Sequence, residues 1–112
     1  SIIGLGYVGL PLAIEFGRYY ETLGYDLNKN RIVNLNNKID TNREIKIQQF
    51  TKSKNLIFTN NINHLNSSDF FIITLPTPIN SRKFPDVSAI KTTLKILSKL
   101  IKKKSIIVLE ST

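Results

Sequence analysis

The residues whose spacing suggests chemistry stand at the front of the chain, in SIIGLGYVGLPLA, Ser1 to Ala13. Gly4, Gly6 and Gly9 follow the pattern G-x-G-x-x-G. At that spacing the first glycine permits a tight turn and the second lets backbone approach a ligand. The third lets a helix pack closely on a strand. The backbone from Leu5 through Tyr7 and Val8 would then present N–H groups at the start of a helix. Their unpaired hydrogens and the helix dipole favour an anion such as a pyrophosphate. A plain flexible turn would use the same glycines, so the spacing needs its context. An acid, Asp26, stands about twenty residues on, where a carboxylate accepts from a ribose 2′-hydroxyl and repels a 2′-phosphate. This pair of features predicts a dinucleotide site that prefers NAD to NADP. Arg31, close behind, is the feature that could favour a phosphate instead.

The elements around these residues supply the context. Ser1 to Ile3 reads as the end of a buried strand, and Val8 to Arg18 suits a helix with Leu10, Ala13, Ile14 and Gly17 on one face. Pro11 falls in its first turn, where a missing N–H is harmless. TLGYDLN, Thr22 to Asn28, is a short strand ending on the acid, and Asn30 to Asn37 is a second helix. Thr41 to Ser53 is polar and ambiguous between loop and helix, and Asn55 to Thr59 is a third strand. Phe70 to Leu75 is apolar almost throughout, as in a parallel strand buried on both faces, and Pro76 and Pro78 stop it. After the polar stretch from Ile79 to Lys83, Pro85-Asp86 starts a helix. Its stripe of Val87, Ile90, Leu94, Leu97 and Ile101 marks a core-facing side. Ser105 to Thr112 is a last buried strand.

Strands alternating with helices predict an α/β fold, a Rossmann-type doubly wound parallel sheet with helices on both faces. Ligands in such sheets bind at the C-terminal ends of the strands. That rule selects Gly4 to Gly9, Asp26 to Arg31, Leu75 to Thr77, and Glu110 to Thr112.

Composition bounds the rest. At 112 residues the chain is one small domain, residues 1–112. The first strand of such a sheet needs about five or six residues, and the chain supplies two or three. With no methionine at position 1 either, the sequence reads as a piece of a longer protein. There are no cysteines, which removes disulfides and thiolate chemistry from these residues. No apolar run approaches the roughly 18–20 residues of a membrane span, no signal peptide is evident, and a cytoplasmic setting is expected. The net charge of +8 comes from scattered lysines, apart from Lys102-Lys103-Lys104 at the close of a predicted helix. Together with the abundance of Ile and Asn it fits AT-rich coding better than a nucleic-acid-binding face.

Beyond single motifs, GLGYVGLPLA, GYDLN with its following RI and L, LPTPIN, PDVS and LEST occur in the order and spacing of the UDP-glucose/GDP-mannose dehydrogenase family. The whole chain resembles that family's N-terminal NAD-binding domain. PTPI followed by PDVS is most similar to bacterial enzymes acting on UDP-N-acetylhexosamines. The resemblance implies oxidation of a sugar C6 alcohol to a carboxylate with two NAD molecules in succession. The path runs through an aldehyde, a cysteine thiohemiacetal and a thioester, in a homo-oligomeric enzyme of polysaccharide precursor synthesis. The nucleophilic cysteine and its main partners lie downstream in the family, so these residues supply only the cofactor half.

Carried over by motif, Gly4, Leu5, Gly6, Tyr7, Val8 and Gly9 hold the pyrophosphate, and Asp26 holds the adenosine ribose. Arg31 makes a basic cofactor contact, and Leu75, Pro76 and Thr77 border the NAD. Ser111 and Thr112 lie on the nicotinamide side, where the Thr112 hydroxyl could help place a catalytic water. Backbone capping is the plainer role for Thr77 and Thr112.

His64, the only histidine, shows no partner at catalytic spacing and reads as a solvated loop residue. Glu110 supports its loop, Asp69 and Asp86 read as strand-edge and helix acids, and no metal-ligand spacing appears. Two other readings remain: a hydroxy-acid-type NAD dehydrogenase, which also opens with a G-L-G turn, and a non-enzymatic nucleotide- or nucleic-acid-binding module. The stretches Leu75 to Asn80 and Glu110 to Thr112 weigh against the first.

Overall fold

The computed structural model describes residues 1–110; the expectations for Ser111 and Thr112 lie outside the described residues. Five parallel strands form one sheet: β1 (Ile2–Ile3), β2 (Thr22–Tyr25), β3 (Leu56–Thr59), β4 (Phe70–Ile73) and β5 (Ile106–Leu109). Their spatial order is β3-β2-β1-β4-β5, so the chain builds outward from β1 in one direction, then returns to build in the other. The reversal falls between β1 and β4, and a crevice for a ligand opens there at the C-terminal ends of the strands.

The register explains why β4 is nearly all apolar. Ile2 pairs with Ile72, and Ile3 with Ile73, so successive side chains point to opposite faces. Ile2 and Ile72 join Leu10, Ala13 and Ile14 of α1 (Gly9–Phe16), Ile32 and Leu35 of α2 (Lys29–Asn36) and Phe50 of α3 (Ile47–Lys52). Ile3, Phe71 and Ile73 join Ile90 and Leu97 of α4 (Ser88–Leu100) and Leu65 of a 3-10 helix (Ile62–Ser67). Both faces are therefore covered, and full burial of a side chain such as Phe71 is worth about 1.5–3 kcal/mol. A one-residue slip of β1 would send its two isoleucines to the wrong faces.

Several boundaries differ from the sequence reading. The segment from Thr41 is not helical until Ile47, because Asp40 gathers the N–H groups of Asn42, Glu44 and Ile45 into a turn. The last helix starts at Ser88, where the Asp86 carboxylate accepts the Ser88 N–H. Hydrogen bonding from the Ser88 side chain first, and then from its N–H, lowers the Asp86 pKa. It ends at Leu100, so the lysine triplet lies beyond it and only Lys99 sits in the last turn. The loop expected around His64 is a 3-10 helix.

Candidate functional site

The turn leaving β1 is fixed at its first two residues, Gly4 and Leu5, whose N–H and carbonyl groups are all engaged. Gly4 has φ +99°, in the left-handed region where side chains are strained. Its N–H donates to Tyr25 O at 2.8 Å. Its carbonyl accepts from the Thr74 hydroxyl at 2.6 Å, which also lies 3.0 Å from Ile3 O. Leu5 is held from both ends: its N–H donates to Asp26 Oδ2 at 2.9 Å, and its carbonyl accepts from Arg31 Nε at 2.9 Å and Nη2 at 2.7 Å. Gly9 sits against Gly4 itself. A side chain there would run into the Gly4 carbonyl and the Thr74 hydroxyl. Gly9 thus permits the close contact of α1 with the turn.

Gly6 is different. Its φ lies outside the left-handed region, and a Cβ built on it meets nothing within 4 Å. Neither conformation nor packing among the described residues calls for glycine there. What remains is the space in front of it. The N–H groups of Gly6, Tyr7 and Val8 donate to no partner among the described residues, and all three residues are exposed. The Gly6 carbonyl accepts the Leu10 N–H at 3.1 Å, which continues the helical bonding of α1 back to the turn. An open, side-chain-free approach to unpaired N–H groups at a helix start fits a dinucleotide pyrophosphate.

Asp26 follows β2, beside this turn. Its Oδ2 takes the Leu5 N–H and its Oδ1 the Asn28 N–H at 2.9 Å, with further acceptor capacity on both oxygens. Asn28 in turn caps α2, accepting the Arg31 N–H at 3.1 Å. The carboxylate also raises the pKa of neighbouring Tyr25, after the larger effect of burial.

Arg31 lies close to the turn but is heavily engaged. Besides Leu5 O, its Nη1 donates to Asp40 Oδ1 at 2.8 Å and to Thr41 Oγ1 at 3.3 Å. One Nη2 hydrogen is left for a ligand. The Arg31 and Asp40 side chains are only 10% and 1% exposed, so this is a buried pair. Burial pushes the Asp40 pKa up, but the Arg31 bond and the N–H groups of Glu44, Ile45 and Asn42 outweigh it and leave it lowered. Leu5 has its side chain in the core and both backbone groups taken, so it supports the turn from behind.

Leu75, Pro76 and Thr77 continue from β4 on the other side of the crevice. The Leu75 side chain lies against Gly4, 3.1 Å from where a Cβ would stand. Glu110 is exposed, and its N–H donates to Ile73 O at 2.9 Å. His64 is remote from the glycine turn in sequence and has a partner that sequence reading missed: Nδ1 lies 2.7 Å from the Thr59 hydroxyl. Among the described residues no group of three or more His, Cys, Asp or Glu is placed to hold a metal ion. No helix among them is long and apolar enough to cross a membrane. A cavity of about 960 Å³ opens at the N-terminal ends of the strands among Ser1, Thr22, Asn55 and Phe70, away from the glycine turn.

Thr74 and Asp40 were not singled out by sequence reading. Their residue types are ordinary. An Asx turn at Asp40 was the one available signal, from the D-T-N run.

Sheet order, the glycine turn and the acid after β2 define a dinucleotide-binding domain of the doubly wound class. The family model for the UDP-glucose/GDP-mannose dehydrogenase family, NAD binding domain, matches residues 1–112. The chain belongs to that family, and its cofactor is NAD.

It is 42% identical over 112 residues to a UDP-N-acetyl-D-glucosamine 6-dehydrogenase of Salmonella typhi, covering all of this chain and 26% of that protein. A Pseudomonas aeruginosa protein of the same description is 39% identical over the same shares. Among solved structures, a ternary complex of GDP-mannose dehydrogenase from Pseudomonas aeruginosa superposes with TM-score 0.90 at 26% identity, covering 100% of this chain and 28% of that one. The UDP-N-acetyl-mannosamine dehydrogenase Cap5O from Staphylococcus aureus superposes with TM-score 0.82 at 31% identity, covering 99% and 28%. The chain thus spans about a quarter of the length of the curated relatives it matches.

Proposed function

We propose that the whole protein is an NAD-dependent nucleotide-sugar 6-dehydrogenase. It oxidises the C6 alcohol of a UDP-N-acetylhexosamine to the uronic acid in the cytoplasm of a bacterium, for polysaccharide precursor synthesis, as a homo-oligomer. Its relatives' described activities support the substrate class. NAD, when bound, accepts the hydride removed from the sugar. The observation that carries the cofactor half is Gly6, which among the described residues faces open space, with N–H groups beside it that have no partner.

In this reading the chain's residues bind and orient. The N–H groups of Gly6, Tyr7 and Val8 take the pyrophosphate. Asp26 takes the ribose hydroxyls with the acceptor capacity left after Leu5 and Asn28. Gly4 and Gly9 give the turn its shape, and Leu5 holds it from the core. Leu75, Pro76 and Thr77 border the NAD, and Ser111 and Thr112, outside the described residues, are assigned to the nicotinamide side. Thr112 helps place water there. The remaining N–H of Arg31 is its one available cofactor contact.

The test is NADH formation by the full-length protein with UDP-N-acetylglucosamine and UDP-N-acetylmannosamine. About two NADH per sugar are expected, the stoichiometry of two successive oxidations. Turnover of a 3-hydroxy acid without turnover of either sugar would establish the hydroxy-acid-type reading instead.

A further inference from the structure

Two charged groups bear on the same residue of the turn. Asp26 holds the Leu5 N–H and Arg31 holds the Leu5 carbonyl. A cofactor approaching the Asp26 carboxylate therefore comes near the Arg31 guanidinium as well. An arginine beside the ribose is the usual means of accepting a 2′-phosphate. Here that cation is already compensated. Asp40, with a side chain 1% exposed, pairs with Arg31 Nη1 at 2.8 Å. Three backbone N–H groups keep Asp40 ionised and fixed. Asp26, by contrast, forms no ion pair among the described residues.

We propose that Asp40 is a positioning residue that sets cofactor specificity. By pairing with Arg31 it neutralises and immobilises the cation beside the turn, leaving Asp26 to determine the charge that the ribose meets. The proposal rests on the reading of Gly4 to Gly9 and Asp26 as the NAD site. With Asp40 present, the charges of Asp26, Arg31 and Asp40 sum to a net negative and a 2′-phosphate is repelled. Without the Asp40 charge, Arg31 balances Asp26 and the repulsion fades. Buried, fixed charges are screened little by salt, so the effect persists at physiological ionic strength.

Calorimetric dissociation constants for NAD and NADP, measured on the full-length protein and its variants, test this. Asp40→Asn keeps the shape and removes the charge. It should narrow the preference for NAD by at least about tenfold, the scale of one unit charge at short range near a protein surface. Asp40→Glu keeps the charge and should retain most of the preference. Arg31→Met should widen it, and the double variant Arg31→Met/Asp40→Asn should return it towards the original value. A merely structural Asp40 would weaken both cofactors equally and leave the ratio unmoved, which overturns the proposal. Should Asp40→Asn not fold, Arg31→Met decides: an unchanged or narrowed preference there overturns it too. An unmutated protein that binds neither cofactor would overturn the site reading itself, a result separate from any ratio among variants.

Discussion

Asp26 and Arg31 grip Leu5 from opposite ends, the carboxylate on its N–H at 2.9 Å and the guanidinium on its carbonyl at 2.7 Å. The turn is thereby fixed before any ligand arrives, with the exposed Gly6, Tyr7 and Val8 N–H groups unpartnered among the described residues. Preorganisation of this kind lowers the ordering cost of binding. Asp26→Ala removes one grip and the ribose acceptor together. Hydrogen bonds to charged groups are worth about 1.5–3 kcal/mol, so NAD affinity should fall by about tenfold to a hundredfold. The preference over NADP should narrow at the same time. Steady-state kinetics of the full-length protein with both cofactors measures this; equal or better use of NADP before mutation would contradict the role given to Asp26.

Thr74 ties the end of β4 to the turn through two carbonyls, Ile3 O and Gly4 O. Thr74→Val keeps the volume and leaves those acceptors without the hydroxyl. Urea denaturation should show a loss of about 1–3 kcal/mol, the cost of leaving the buried Gly4 carbonyl without its donor while Ile3 O keeps the Thr74 N–H, with Thr74→Ser recovering most of it. Equal losses in the two variants would point to packing of the methyl group instead.

The glycines separate by what stands in front of each. Gly9→Ala places a methyl group against the Gly4 carbonyl and should destabilise by about 1–3 kcal/mol or more, the range for overpacking. Gly6→Ala faces open space and should leave the melting temperature within a degree or two, since surface changes stay within about ±0.5 kcal/mol. Thermal denaturation of the two variants side by side reads the contrast, and equal destabilisation would refute it.

Asp40 gives a pH signature. Its pKa is lowered in the fold from an ordinary 3.8. The folded state therefore holds the proton less tightly than the unfolded chain. The stabilisation is complete above pH 3.8 and is lost as the pH falls through the lowered folded value. Denaturation of the wild-type protein across that acid window should show a steeper decline than Asp40→Asn. Parallel curves would mean that Asp40 gains nothing from ionisation in the fold.

Much of this was legible in the sequence, and the limit is instructive. The doubly wound sheet follows from apolar runs alternating with helical stripes, and the glycine turn and Asp26 stand out because their spacing has a mechanical reason. The supports of the turn do not. Thr74 lies 71 residues from the Ile3 carbonyl it bonds, and nothing in a lone threonine tells which backbone oxygen it will meet. Arg31 was recognised as a basic residue near the cofactor, yet its main partner is a backbone carbonyl 26 residues away. Asp40 stands just before the polar stretch Thr41 to Ser53, which the sequence leaves ambiguous between loop and helix. Its carboxylate, by collecting N–H groups from Asn42, Glu44 and Ile45, is what delays the helix to Ile47. Residue types announce chemistry that points at a ligand; bonds that end on distant backbone become visible only with the fold.

A pyrophosphate cradle built by the turn from Gly4 to Gly9 is most directly tested at Gly6. Gly6→Val in the full-length protein puts a branched side chain into space that is empty within the fold. NAD titration by calorimetry, beside circular dichroism, is the measurement. The cradle predicts a folded protein whose NAD binding is lost or weakened by at least about 2–3 kcal/mol, from overpacking against the cofactor and lost hydrogen bonds. A folded Gly6→Val protein that binds NAD with unchanged affinity would contradict it.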